Sequence, residues 1–247
     1  DWQAPPPPEQ IEQQEGPRMS EIATIGNIFF EPGATFEDLK RKPRFIIGSI
    51  IIALLITAFS FGLYYKVGDT GMRRFISDQI DKSPQTQGMN AEQKSNAIDL
   101  QMTIGTVVRF VMPVFVFLSI IIGGLFYWAA SKAFGGTGGF LHAVSVWVYS
   151  SLPPTLIGMV ATFIAASQRG LINANLSFLI DGKASPVLAT LVSVFDLFAI
   201  WGWVLAAIGL RITNKISSAS AWAIVIIIAL VGVAFRVLFA VMSGNPS

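Results

Sequence analysis

Five long apolar segments decide what this chain can fold into. Each is close to the roughly 20 residues that a helix needs to cross the hydrocarbon core of a bilayer. Composition agrees, because 53% of the residues are hydrophobic and 13% are charged, whereas about a quarter of the residues in a soluble domain are charged. The sequence therefore predicts an all-α membrane protein with five transmembrane helices. The predicted spans run from Arg44 to Tyr65, Thr106 to Ala130, Leu141 to Ala166, Pro186 to Leu210 and Ala219 to Met242.

Basic residues near the ends of these segments predict the orientation. The run KRKPR at residues 40–44 precedes the first span, and the two later loops on the same side contain Lys132, Arg211 and Lys215 but no acidic residue. Loops rich in lysine and arginine stay in the cytoplasm. With five spans, this rule places the N-terminus in the cytoplasm and the C-terminus outside.

Composition also excludes several kinds of site. The chain has no cysteine and a single histidine, His142, which excludes thiolate catalysis, disulfides and metal sites built from cysteines or several histidines. A formal net charge of +2 provides no basic face for nucleic acid. No motif pairs a nucleophile with a general base. We therefore expect a protein that is not an enzyme, with no cofactor and no nucleic-acid partner.

Two N-terminal segments precede the membrane domain at residues 44–247. Residues 1–18 are a proline-rich tail that cannot bury enough apolar surface to fold alone, and that either stays solvated or binds a partner as an extended ligand. Residues 19–43 are a cytoplasmic interfacial segment, in which Thr35 and Asp38 resemble a capping box that opens a short helix. The sequence leaves open whether this helix lies among lipid headgroups or docks on a cytosolic partner. The predicted membrane anchors are Phe36, Leu39, Lys40, Arg41, Lys42 and Arg44.

The loop after the first span contains a second helix start. Asn90 and Gln93 have the spacing of a capping box, and the residues that follow contain no helix breaker before the second span except Gly105. The second helix is therefore predicted to begin near Ala91 and to project beyond the bilayer.

One acidic residue, Asp196, stands near the middle of the fourth span, where an ionised carboxylate is costly. Arg236 in the fifth span and Arg109 in the second span lie in the same outer half of the membrane. We predict that Asp196 faces the bundle interior and forms an intramembrane ion pair with Arg236 or, failing that, with Arg109. Removal of one partner is expected to cost on the order of 3 kcal/mol.

Small residues and prolines indicate how the spans pack. Small residues about four positions apart let helices approach closely, and Pro153 with Pro154 predicts a kink in the third span. The glycines of FGGTGG at residues 134–139 favour a tight turn over a phosphate loop, which needs a following Lys-Ser/Thr. The predicted packing faces contain Gly202, Ala206 and Gly209 in the fourth span, and Ala229 and Gly232 in the fifth.

Three motifs in order resemble a known family. They are the pre-membrane pattern Phe29, Pro32, Thr35, Phe36, Leu39 and Pro43, the stretch FGGTGGFLHAVSVWVYSSLP, and the stretch LFAIWGWVLAAIGLR. Together they resemble bacterial members of the Yip family, five-span membrane proteins named for their interaction with Ypt and Rab GTPases. The resemblance implies a bacterial cytoplasmic (inner) membrane location and partner proteins in that membrane. An acidic Asp-Leu-Tyr-Gly-Pro type of motif is absent, so Rab binding is not implied.

The sequence leaves two functions open. The first is a scaffold or accessory subunit in the lipid bilayer that binds other membrane protein subunits or a second copy of itself. The alternative is a small-solute or ion transporter, or a channel, that uses the kinked third span and Asp196. The few polar groups in the spans and the absence of an evident inverted repeat favour the first.

Overall fold

The described part of the chain consists of helices joined by turns. The computed structural model describes residues 16–82, 86, 88–169 and 197–243, and no strand occurs among them. The helices are α1 (Glu21–Asn27), α2 (Pro32–Arg41), α3 (Ile46–Lys82), α4 (Ala91–Ala133), α5 (Phe140–Arg169), α6 (Leu197–Thr213) and α7 (Ser218–Ser243).

Four of the described helices are long and apolar enough to cross a bilayer. The qualifying segments are Ile46–Asp81, Ala91–Ala133, Phe140–Ala161 and Ser218–Leu238. Helix α6 is shorter, and residues 186–196, the first part of the predicted fourth span, lie outside the described residues. The structure therefore matches four of the five predicted spans. The span at 186–210 and the orientation of the termini stay predictions.

Glycines allow α4 and α5 to pack closely at the centre of the bundle. A Cβ atom at Gly123 would lie 2.2 Å from the Trp147 ring, and one at Gly124 would lie 2.5 Å from a Val144 methyl group. The Tyr127 and Trp147 rings then stack edge to face, with centroids 5.0 Å apart. The same hydrophobic core cluster contains aliphatic side chains that are almost completely buried, among them Val144, Val148, Leu152, Leu210 and Ile224.

Helices α3 and α4 are longer than a bilayer requires. They contain 37 and 43 residues, with α3 interrupted at Gly68. At a rise of 1.5 Å per residue, residues 46–67 of α3 are about 33 Å long and α4 is about 65 Å long, against a hydrocarbon core of about 30 Å. The second helix begins at Ala91 as predicted, because Asn90 and Gln93 form the reciprocal capping box. Helix α3 bends at Gly68, whose φ of 69° lies in the left-handed region that favours glycine. We call residues 68–82 and 91–105 the α3–α4 extension.

Ion pairs join the two arms of the α3–α4 extension. The Arg73 guanidinium donates to Asp99 at 2.6 Å, and Lys94 Nζ contacts the two oxygens of Asp81 at 2.6 and 2.8 Å. These contacts show that the arms run antiparallel. The four charged side chains are between 31% and 57% exposed, so the pairs set the register of the arms while each adds little stability.

The segment before the first span packs onto the bundle through its apolar side chains. Phe36 and Leu39 are fully buried. The Phe36 ring fits against α6 because Gly209 has no side chain, and a Cβ atom there would lie 2.8 Å from the ring. The prediction that Phe36 and Leu39 anchor the chain in the headgroups is therefore wrong. Complete burial of such side chains stabilises the fold by about 1.5–3 kcal/mol each, and the bundle offers a site for it.

Helix α2 also begins earlier than predicted. Pro32 occupies its first turn, where the missing N–H has no cost. Thr35 lies inside the helix, and its hydroxyl donates to the Glu31 carbonyl at 3.1 Å. Asp38 accepts backbone N–H groups from another segment. The predicted capping box of Thr35 and Asp38 is therefore wrong, because the proline starts the helix three residues upstream.

The glycine-rich turn between α4 and α5 packs against the connection from α6 to α7. The Asn214 side-chain amide donates to Ser131 Oγ at 2.7 Å, and the Asn214 carbonyl accepts the Thr137 N–H at 3.0 Å. A Cβ atom at Gly138 would lie 2.8 Å from the Asn214 Cα atom. Glycine is required here for the close approach of two backbones, which is the role of a tight turn.

Candidate functional site

A cavity lies beside the two adjacent prolines of α5, Pro153 and Pro154; the kink predicted there stays a prediction. Its volume is about 390 Å³, and helices α4, α5, α6 and α7 contribute to its wall. Unlike the packed core around it, the wall combines aromatic rings with hydroxyl groups and one cationic side chain. The residues that give it this character are Tyr127, Ser150, Ser151, Thr155, Trp203 and Arg236.

Two adjacent prolines explain why the packing loosens at this point. Pro153 and Pro154 have no N–H, so the carbonyls of Tyr149 and Ser150 lose their usual helical donors. Helix α6 comes close here, since a Cβ atom at Gly202 would lie 3.3 Å from the Pro154 ring and 3.5 Å from the Ser150 carbonyl oxygen. Gly202 therefore lets α6 approach the carbonyl of Ser150, which has lost its helical donor.

Hydroxyl groups make one wall of the cavity polar. The hydroxyls of Ser150 and Ser151 both donate to the Trp147 carbonyl, at 3.2 and 2.7 Å, which leaves their lone pairs available. Tyr127 is 6% exposed, and its hydroxyl makes no hydrogen bond to another described residue. The arrangement can therefore bind water or a molecule with hydrogen-bonding groups. Among the described residues, no three His, Asp or Glu side chains are grouped so that they could hold a metal ion.

The three residues of the predicted intramembrane ion pair have different surroundings. Asp196 lies outside the described residues, directly before α6. Arg236 lines the cavity. Arg109 lies between α3 and α4, where its guanidinium is 3.9 Å from the centroid of the Tyr64 ring and donates to Thr106 Oγ1 at 2.9 Å. The structure thus separates the two arginines, and the pairing of either with Asp196 stays a prediction.

The small residues of the predicted packing faces fall into two groups. On α6, Gly202 and Gly209 contact α5, and Ala206 is 1% exposed. On α7, Ala229 and Gly232 line the cavity, and a Cβ atom at Gly232 would meet no other atom within 4 Å. The α6 face is therefore packed within this chain, while the α7 face borders open space.

A buried ion pair joins the N-terminal segment to the start of α3. The side chains of Arg44 and Asp38 are 8% and 2% exposed and form a direct salt bridge. Arg44 also donates to the Met19 carbonyl at 2.7 Å and to Thr24 Oγ1 at 2.9 Å. The prediction that Arg44 binds anionic lipid is therefore wrong, because its guanidinium is used inside the protein.

The other predicted basic anchors remain at the surface of this segment. Lys40 and Arg41 are half-buried, and Lys42 is exposed. Lys40 also connects α2 to the bundle through its backbone, since its carbonyl oxygen lies 3.1 Å from His142 Nε2 at the start of α5. His142 therefore joins two elements by a hydrogen bond.

Comparison with known proteins identifies the family. The Yip1 domain model matches residues 26–241, which include α2 and helices α3 to α6. The chain belongs to the Yip1 domain family. The membrane protein YknW of Bacillus subtilis (strain 168) is 26% identical over 245 residues, with 95% of each chain covered. No solved structure matches. The match begins within α1, so helix α2 lies inside the matched region.

Proposed function

We propose that this Yip1-domain protein is a non-enzymatic membrane scaffold or accessory subunit that binds other membrane proteins. In this proposal the chain crosses the bacterial cytoplasmic membrane five times, with the N-terminus in the cytoplasm and the C-terminus outside. The observation that supports it best is the α3–α4 extension, which continues past the length a bilayer requires.

The extension presents an apolar stripe. Leu100 and Ile104 are one helical turn apart on α4, before the predicted start of the second span, and are 60% and 51% exposed. Stripes with this spacing are typical of surfaces on which another helix packs. The capping box and the ion pairs already order both arms, so a partner that docks there loses little conformational entropy.

Site-specific photo-crosslinking tests the proposal. A photoreactive residue is placed at Leu100 and, in a matched control, at Ser95, which is exposed on the same helix but points away from the stripe. We expect a discrete protein adduct from Leu100, the same adduct from Ile104, and none from Ser95. Mass measurement in mild detergent should show this chain with a partner or in several copies. A monomeric mass with adducts to lipid alone contradicts the proposal.

The cavity supports a second candidate function, the movement of a small solute or ion past the two prolines of α5. It places hydroxyl groups and Arg236 beside Pro154, where a broken helix can line a substrate site. Under this alternative, Asp196 couples transport to an ion or proton.

Flux measurements separate the two functions. The protein is reconstituted into vesicles and compared with Asp196→Asn and with Ser151→Trp, which fills the cavity. The scaffold proposal expects no flux above that of protein-free vesicles. A flux that both variants abolish would favour the transport function over the scaffold function.

A further inference from the structure

Helices α1 and α2 form a hairpin whose two ends meet. The backbone N–H groups of Arg18 and Met19, just before α1, donate to the Asp38 carboxylate near the end of α2. Arg44 joins the same two segments, since it forms a salt bridge with Asp38 and donates a hydrogen bond to the Met19 carbonyl. The two helices therefore run antiparallel, and the turn at residues 28–31 is the far tip. We call residues 18–44 the α1–α2 hairpin.

This hairpin lies along α6. Towards its base, the Phe36 ring packs at Gly209. At its tip, the Phe29 ring stacks edge to face on Trp201, with ring centroids 6.2 Å apart. Trp201 and Gly209 are about two helical turns apart on α6, and they contact the turn before α2 and the middle of α2 respectively, so this arm of the hairpin and α6 run side by side.

The position of the tip along α6 gives its depth. Trp201 lies about 18 Å from the end of α6 at Thr213, at a rise of 1.5 Å per residue. The helix ends on this side of the bundle are at one level, since the turn after α4 is hydrogen-bonded to the turn after α6 through Thr137 and Asn214. With the helix ends on this side taken as the edge of a hydrocarbon core of about 30 Å, the tip lies at the depth of the acyl chains.

The tip has the properties that such a depth requires. The backbone N–H groups of Ile28, Phe29, Phe30 and Glu31 all donate to carbonyls within the hairpin, and Pro32 has no N–H. Hydrocarbon offers no replacement for a missing backbone hydrogen bond, so this satisfaction is needed there. Phe30 is 84% exposed within the chain, and Glu31 beside it is also exposed, so the protein leaves one large apolar and one acidic side chain uncovered at the tip.

We propose that the α1–α2 hairpin is a re-entrant element that binds the acyl chains of the leaflet on the side of the N-terminus, with Phe30 in direct contact with lipid. Glu31 limits the depth, because an ionised carboxylate opposes insertion even beside the N-terminus of α2, where the helix dipole favours negative charge. The inference goes beyond the proposed function, and it holds whichever side of the membrane the N-terminus occupies.

Spin labels measure the depth directly. The chain has no cysteine, so single-cysteine variants of the full-length protein carry a nitroxide at one chosen position. Phe30→Cys and Ala34→Cys, both at exposed positions near the tip, are compared with Lys42→Cys beyond α2 and with Leu230→Cys on the lipid-exposed part of α7. Each variant is reconstituted at low protein density into vesicles of phosphatidylethanolamine and phosphatidylglycerol. Collision rates with molecular oxygen and with a water-soluble nickel chelate are then recorded.

We expect the Phe30 and Ala34 labels to behave like Leu230, with oxygen accessibility exceeding nickel accessibility by several-fold, and Lys42 to show the reverse. Nickel accessibility at Phe30 equal to that at Lys42 overturns the proposal, because the tip is then in water. Low accessibility to both reagents at Phe30 also overturns it, because protein then covers the tip.

Discussion

The α1–α2 hairpin and the α3–α4 extension are both antiparallel helix pairs held by ion pairs, yet the charges have opposite surroundings. The Asp38 and Arg44 side chains are 2% and 8% exposed, whereas Asp99 and Arg73 are 56% and 46% exposed. Water replaces a lost partner in the exposed pair but not in the buried one. The α1–α2 hairpin is therefore part of the folded core, whereas the α3–α4 extension is an ordered surface.

Removal of the Asp38 carboxylate should give the largest effect. In Asp38→Ala the Arg44 guanidinium stays buried without its charge partner, and two backbone N–H groups also lose their acceptor. We expect a loss of about 3–5 kcal/mol in the free energy of unfolding. Thermal and denaturant unfolding in detergent measure this loss.

A double variant separates a stranded charge from a general packing defect. Asp38→Leu combined with Arg44→Met removes both charges and keeps apolar volume, so it should recover most of the stability. An Asp38→Ala protein as stable as Asp99→Ala contradicts the distinction between the two hairpins.

Filling the contact between the α1–α2 hairpin and α6 should give the next largest effect. In Gly209→Leu the new side chain overlaps the Phe36 ring, which lies 2.8 Å from the position of a Cβ atom. We expect a loss of about 1–3 kcal/mol from overpacking. The same change at Gly232, where a Cβ atom meets nothing within 4 Å, should change stability by less than about 0.5 kcal/mol. Equal losses at the two positions show that α6 does not need glycine to hold the hairpin.

Glycine-to-alanine changes should have effects of opposite sign on the free energy of unfolding in the α1–α2 hairpin and in the α3–α4 extension. Gly68 has a φ of 69° and a ψ of 170°, a combination essentially restricted to glycine, so Gly68→Ala strains the bend of α3 and should cost about 1–3 kcal/mol. Gly26 lies within α1 with open space around it, so Gly26→Ala should stabilise the protein by about 0.5–1 kcal/mol. Unfolding midpoints of the two variants test the sign, and a stabilising Gly68→Ala contradicts a fixed bend.

Breaking an exposed ion pair should give the smallest effect. Asp99→Ala removes the contact with Arg73, and we expect a loss of about 0–1 kcal/mol. Because salt screens exposed charges, this small loss should disappear near 1 M salt, where the Debye length is about 3 Å. A large, salt-independent loss shows that the extension is held as tightly as the core.

The sequence predicts the features of this protein that depend on local patterns. The start of α4 follows from a capping box in which Asn90 and Gln93 bond each other's backbone. Four apolar spans appear where hydropathy places them, because hydrocarbon requires continuous apolar helices. The sequence motifs also identify the family that the Yip1 domain match shows.

The features that depend on contacts between distant segments could not be predicted. Phe36 and Leu39 have the spacing of an interfacial helix, and the space beside Gly209 that buries Phe36 is contributed by a helix far along the chain. Asp38 and Arg44 stand in a run of charged residues that is typical of a solvated surface. These side chains are buried because the backbone of residues 18–19 packs against them, with its N–H groups donating to the Asp38 carboxylate. The cavity beside Pro154 could not be predicted either, because its wall is formed by side chains from four different helices.

The claim that the N-terminal segment is part of the membrane bundle is tested most directly by a cross-link between its tip and α6. Phe29→Cys and Trp201→Cys are combined in a chain with no other cysteine, and native membranes are treated with a short bifunctional thiol reagent. Because the two native rings are in contact, we predict that peptide mass spectrometry finds the two cysteines joined within one chain. The yield should fall when Asp38→Ala is added. Two cysteines that each react singly, with no joined product, contradict the account.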